Sequence, residues 1–238
     1  NIDVMAAIPE QTLESYQDTL EKIVSLNPEH ISSYSLIIEP GTVFGDWEKK
    51  GTLKHVDEDV DRQMYEWTGK YLQHMGYQRY EISNYCRDGM ECRHNCVYWS
   101  GGEYLGLGVN ASSYLTGYRF HVPVSQKTYR SYVDRICVLA EKESEGLKKA
   151  VQEMDELEFI DQRAQMEEFM FLGLRMMAGV SEQEFYQRFG ISMMEVYGDI
   201  IKKYQNMDLV CRRDTGRVAL TEKGIDVSNS ILSDFLLN

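Results

Sequence analysis

The chain has 238 residues, 43% hydrophobic and 26% charged, enough to bury a substantial core in one large domain or two small ones. A net charge of −13 and a pI near 4.9 oppose binding to a phosphate backbone, which calls for clustered Lys and Arg, so nucleic acid is not an expected partner. No apolar run approaches the roughly 20 residues of a membrane span, and Asn1-Ile2-Asp3-Val4 lacks the basic start of a secretory signal, which predicts a cytoplasmic protein without a transmembrane segment.

Residues 1–8 alternate apolar with polar or small side chains up to Pro9 and predict a strand; without an initiator Met, this opening reads as that of a truncated or processed product. Thr12 is placed to cap a helix in which Leu13, Tyr16, Leu20, Ile23 and Val24 recur at helical spacing. His30 to Ile38 predicts a second strand, closed by the turn signal Glu39-Pro40-Gly41. Asp57, Glu58, Asp59 and Asp61 load the first turn of a helix carrying Val60, Met64, Trp67, Tyr71 and Met75, with Gly76 placed to stop it, and a third strand is expected from Tyr77 to Ser83. Alternating strands and helices imply βαβ units and a parallel sheet, for which three strands are few.

From Asn84 to about Val124 the chain is rich in Gly, Tyr and Cys with weak periodicity, a long irregular stretch of the functional type. A helix with Tyr129, Tyr132, Val133, Ile136 and Leu139 follows, and the charged segment Glu141 to Asp155 is expected to mark a boundary, dividing the chain into 1–145 and 146–238. Beyond it, helices at about 156–178, 181–189 and 192–206 precede a hairpin turning at Asp214-Thr215-Gly216 and a last helix near 222–236, a winged-helix-like arrangement. Its balance from residue 151 onward, 16 Asp and Glu against 9 Lys and Arg, has the wrong sign for a DNA-binding module.

Several residues bear chemistry. The five cysteines are expected as reduced thiols, and the spacings among Cys86, Cys92 and Cys96 match neither a paired CxxC zinc site nor the CxxxCxxC of a radical-forming cluster. Gly106-x-Gly108-x-x-Ala111 follows an aromatic segment and not a strand, so its glycines are expected to serve tight packing and not a dinucleotide. The hexapeptide His94-Asn95-Cys96-Val97-Tyr98-Trp99 has two readings. An imidazole can ligate iron or move a proton while Tyr98 and Trp99 offer flat surfaces to a porphyrin; the residues alone favour the other reading, in which His94 and Asn95 pin a loop whose aromatics fill core. Asp3 and Gln11 flank the end of the first strand, where βα ligands gather, but spacing alone favours an ordinary strand acid and helix-start amide.

These segments in order resemble the oxygen-independent coproporphyrinogen III oxidase family, most closely its haem-chaperone branch, HemW. NIDVMAAIPEQTLESYQDTL is similar to the family's fourth barrel strand and helix, and HISSYSLIIEPGTVF to its fifth strand. YQRYEISNYCRDGMECRHNCVYW with EYLGLGVNASSYL is similar to the sixth strand and the HNxxYW signature, and EFMFLGLRMMAGVS with ALTEKGIDVSN to the C-terminal domain. The resemblance implies an α/β fold: the C-terminal half of a partial (β/α)6 radical S-adenosylmethionine barrel, an HNxxYW loop and a helical, winged-helix-like domain. It implies S-adenosylmethionine and a [4Fe–4S] cluster in the longer parent, with Asp3, Gln11 and Ile37 near S-adenosylmethionine. His94, Asn95, Tyr98 and Trp99 are implied to meet haem or porphyrin, with His94 on the iron. Implied partners are haem and the proteins that receive it, with a homodimer through an exposed barrel edge. Ala7 departs from the family, standing where Gly is usual, and no CxxxCxxC occurs in the 238 residues. Taken alone they are expected to bind no cofactor tightly and to be catalytically incompetent. Coproporphyrinogen III dehydrogenase is the enzymatic alternative.

Overall fold

The computed structural model describes residues 1–122, 125–140 and 157–237; the boundary expected at 145/146 and the charged segment around it lie outside the described residues. Two compact units divide the chain, Asn1–Cys92 and Arg93–Asn238.

In the first unit, β1 (Ile2–Ala6) and β2 (His30–Ser35) pair in parallel, joined by α1 (Leu13–Ser25). A capping box between Thr12 and Ser15 starts α1, and Tyr16, Leu20 and Val24, one turn apart, form its buried stripe. A short helix, α2 (Val43–Lys49), follows, then α3 (Glu58–His74), capped by Asp57 and burying Met64, Thr68 and Leu72. The helix ends at Gly76, whose φ of 84° is the left-handed turn that glycine adopts without strain. One buried hydroxyl ties these pieces together: Tyr16 Oη lies 2.9 Å from Ser33 Oγ on β2 and 2.7 Å from Thr68 Oγ1 on α3.

The expected third parallel strand is instead a hairpin, β3 (Gln78–Glu81) and β4 (Asn84–Cys86), and the sheet order is β1-β2-β4-β3. The later arm, β4, takes the place beside β2 and runs antiparallel to it. Its alternation explains why. Tyr85 enters the core that α1 and α3 cover, and its hydroxyl accepts from Nε of Arg79, while Asn84 and Cys86 turn to the other face. Burial pushes the Tyr85 phenol up to about 12, against the pull of the Arg79 guanidinium.

The second unit opens with α4 (Arg93–Trp99). The hairpin β5 (Ser112–Leu115) and β6 (Tyr118–His121) continues antiparallel into β7 (Glu158–Phe159). Leu115, Phe120 and Val122 bury against Tyr132 of α5 (Gln126–Ala140). The rest comprises α6 (Gln162–Gly173), β8 (Val180–Ser181), α7 (Glu182–Phe189), α8 (Met193–Asn206), β9 (Val210–Arg212) and β10 (Arg217–Leu220). The strands form an antiparallel sheet of order β8-β10-β9. The last expected helix is two, α9 (Glu222–Asp226) and α10 (Ser228–Ser233), because Val227 leaves the helical region at φ −117°. Phe169, Phe185, Phe189, Tyr197 and Phe235 meet mostly edge to face and build the core of this part.

Candidate functional site

The signature residues sit on a helix and not on the loop expected for them. Its end explains the difference: Gly101 at φ 64° places its N–H on Tyr98 O and the Gly102 N–H on Val97 O, the doubly bonded stop in which glycine closes a helix. Seven residues without one buried side chain give no apolar stripe, so periodicity could not find this helix.

On a helix, residues four apart share a face. His94 and Tyr98 do: Tyr98 Oη lies 3.0 Å from His94 Nε2 and the rings meet edge to face at 4.8 Å. Tyr98 then meets Tyr104 at 4.5 Å, and Tyr104 meets Tyr114 of β5 at 6.4 Å. These rings border a cleft of about 660 Å³ lined by His94, Tyr98, Tyr104, Leu105, Gly106, Leu107, Ala111 and Ser112. Its apolar wall includes Leu107, which is 78% exposed, beside Leu105 and Val109, also exposed. Apolar side chains held in water beside a presented imidazole suit a flat apolar ligand carrying a metal. Gly106 lets the wall close, because a Cβ there would lie 2.3 Å from Ser112 O; neither glycine of the Gly106-x-Gly108 pair opens a phosphate-binding helix.

Asn95 and Trp99 occupy another side of α4. Asn95 is half-buried, and Trp99 lies beneath the Arg175 guanidinium, 4.5 Å from its ring centre, with Nε1 buried and unpartnered. Arg175 and Arg188 are thus neighbours of the signature that spacing alone did not mark, as are Tyr104, Leu105 and Leu107. His121 was likewise hidden: Ser112, a lining residue, contacts its Nδ1 at 3.1 Å.

In the first unit, Asp3 is exposed on the sheet face opposite the helices and accepts from Asn1 Nδ2 at 2.6 Å. The register sets Asp3 beside Ser32, Ser32 beside Asn84, and Asn84 beside Glu81, a polar row across all four strands. Glu81 is fully buried; Oε1 accepts from Ser83 N and Asn84 Nδ2, while Oε2 and Asn84 Oδ1 have no protein partner. Gln11 accepts from Ile8 N at 3.3 Å and lines a cleft of about 490 Å³ with Glu10, Lys54, His55 and Asp57. Ile37, just past β2, is 76% exposed. Ala7 adopts φ 55°, the left-handed region where the family's usual glycine is at ease. Cys86 is buried, Cys92 and Cys96 are partly so, and among the described residues no group of three or more His, Cys, Asp or Glu could hold a metal ion.

A fold of this kind, an α/β unit followed by a helical module with a small antiparallel sheet, is that of coproporphyrinogen III oxidase (HemN) from Escherichia coli, a radical SAM enzyme. Its solved structure covers 99% of this chain with a TM-score of 0.70 at 19% identity, over 54% of its own length. Residues 160–227 match the family of the HemN C-terminal domain. The sequence is similar to haem chaperone HemW of Lactococcus lactis, 34% identical over 237 residues, and of Bacillus subtilis, 34% over 236. HemW of Escherichia coli is 39% identical over 116 residues, 49% of this chain and 30% of its own. The chain is thus similar in sequence to haem chaperones HemW and spans 58% of the length of the Lactococcus and Bacillus relatives it matches. Among the described residues no helix is long and apolar enough to cross a membrane.

Proposed function

We propose that this chain holds haem in the cleft beside α4, as the porphyrin-binding part of a HemW-like radical S-adenosylmethionine protein that passes haem to a receiving protein. The observation that carries the reading is the exposed imidazole of His94, backed by Tyr98 and opening on a cleft of about 660 Å³ with a leucine wall. Nitrogen donor, aromatic edge and apolar wall are what an iron porphyrin needs from a protein. Tyr98 and Tyr104 serve as the ring-contacting aromatics in this reading, with Trp99 turned to Arg175. Haem titration followed at the Soret band, on the chain and on His94→Ala, tests it: the variant should bind at least tenfold more weakly, since losing an iron ligand exceeds about 1.4 kcal/mol.

The same reading takes the first unit as half of a partial (β/α)6 barrel. Two parallel strands under α1 and α3, with the polar row beginning at Asp3 on the face opposite those helices, support it, and Asp3, Gln11 and Ile37 would face S-adenosylmethionine. The helix pair α7 and α8 with the sheet β8-β10-β9 supports a winged-helix-like C-terminal domain that meets protein and not DNA. Bound S-adenosylmethionine and a [4Fe–4S] cluster would supply radical chemistry in a longer parent. The spacings of Cys86, Cys92 and Cys96 do not match the cluster's CxxxCxxC, and in this reading these residues alone would start no radical reaction. Coproporphyrinogen III dehydrogenase, the enzymatic alternative, requires that chemistry, which is why haem binding is preferred for the residues in hand.

A further inference from the structure

We infer that two arginines of the second unit, Arg175 and Arg188, are positioning residues that hold the signature helix in register for His94, so that Trp99 is the anchor of that helix and not a surface for the ligand. This rests on the haem reading of the cleft.

Two contacts carry it. The Arg175 guanidinium stands over the Trp99 indole at 4.5 Å, and α6 leads directly into Arg175 through Gly173 and Leu174. Neither Trp99 Nε1 nor Arg175 Nε has a hydrogen-bond partner, so stacking and the attraction of cation to ring fix the pair. Arg188, at the end of α7, packs where a Cβ on Gly101 would meet its Nη1 at 3.1 Å, and its positive charge acts on the Tyr114 phenol. One arginine therefore grips the last residue of α4, and the other packs against the glycine that ends it. Trp99 lies five residues on from His94, about 140° around the helix at about 100° per residue, so a rotation of α4 that frees the Trp99 grip moves the imidazole nitrogen away from the cleft.

Hydrogen exchange and haem titration on the full 238-residue chain test the proposal, using Arg175→Gln, Arg175→Lys and His94→Ala with Arg175→Gln. Arg175→Gln should speed exchange of the 93–101 amides roughly tenfold without changing that of β9 and β10, the scale of one lost desolvated cation–ring contact. It should also shift the Soret band toward that of His94→Ala, with Arg175→Lys only partly rescuing because an ammonium does not stack as a plane. In the His94→Ala background, Arg175→Gln should change nothing further in the haem spectrum. Unchanged exchange in 93–101 overturns the positioning role. Faster exchange throughout 93–237 also overturns it, by showing a general structural loss. Altered exchange with a Soret band indifferent to His94→Ala leaves the grip standing as mechanics but overturns the haem reading, and with it the assignment of these arginines to haem.

Discussion

The hydroxyl of Tyr98 occupies the nitrogen of His94 that faces it, Nε2, at 3.0 Å across one turn of α4. In the haem reading an iron at Nε2 would have to displace that bond, so the tyrosine would both orient the imidazole and compete with the metal. Tyr98→Phe keeps the ring and removes the competitor. It should leave the Soret maximum of the haem complex in place and tighten binding up to fivefold, the worth of one hydrogen bond of about 1 kcal/mol. Stopped-flow haem transfer from a scavenger measures it; tenfold weaker binding would show that the hydroxyl itself meets the ligand.

Ala7 holds a left-handed backbone at φ 55°, where the methyl group crowds the following carbonyl. Ala7→Gly should raise stability to urea by about 1 kcal/mol, the strain relieved less the entropy glycine adds to the unfolded chain. A loss of stability on this change would mean that the methyl group packs usefully.

His30 is buried between Asn1 Oδ1 at 2.6 Å and Tyr80 Oη at 2.9 Å, and burial holds its pKa below the ordinary 6.5. The folded state keeps the ring neutral while the unfolded chain takes up a proton below about pH 6.5, so its contribution is present above that pH and is lost as pH falls. Urea midpoints at pH 7.5 and 5.5 should therefore fall on acidification, and fall less in His30→Gln. Equal slopes in the two proteins would remove His30 from the pH response.

Tyr16→Phe removes the hydroxyl that joins Ser33 and Thr68 inside the first unit. The expected cost is about 1–3 kcal/mol, because Ser33 loses a partner in a water-poor setting. Equilibrium unfolding followed by circular dichroism gives the value, and a neutral substitution would contradict the bridging role.

Much of this was legible in the chain. The stripe Tyr16-Leu20-Val24, the cap Thr12, the acidic helix start at Asp57, the stop at Gly76 and the turn at Asp214-Thr215-Gly216 all act locally, within the few residues that set them. The exchange of order between β3 and β4 was not, because it depends on which arm of a hairpin reaches β2, and the burial of Tyr85 in the core favours β4. At the site, His94 and Tyr98 were each visible, Tyr98 as the neighbour of Trp99, but the helix that sets His94 against Tyr98 was hidden by its lack of a buried stripe. The partners Tyr104, His121 and Arg175 come from separate elements, so no spacing rule connects them to His94. The roles of Asp3, Gln11 and Ile37 stay with the resemblance that suggested them.

The central claim is that haem iron is bound by His94, and the most direct measurement is a Soret-monitored titration of the chain and of His94→Ala. His55→Ala is the control, a histidine engaged by Glu48 at 2.6 Å in the other unit, and His121→Ala is a further arm because Ser112 ties that ring to a residue of the cleft. The account predicts that His94→Ala alone shifts the band and weakens binding at least tenfold, about 1.4 kcal/mol, with His55→Ala unchanged. A His94→Ala protein that binds as tightly and with the same spectrum would contradict it.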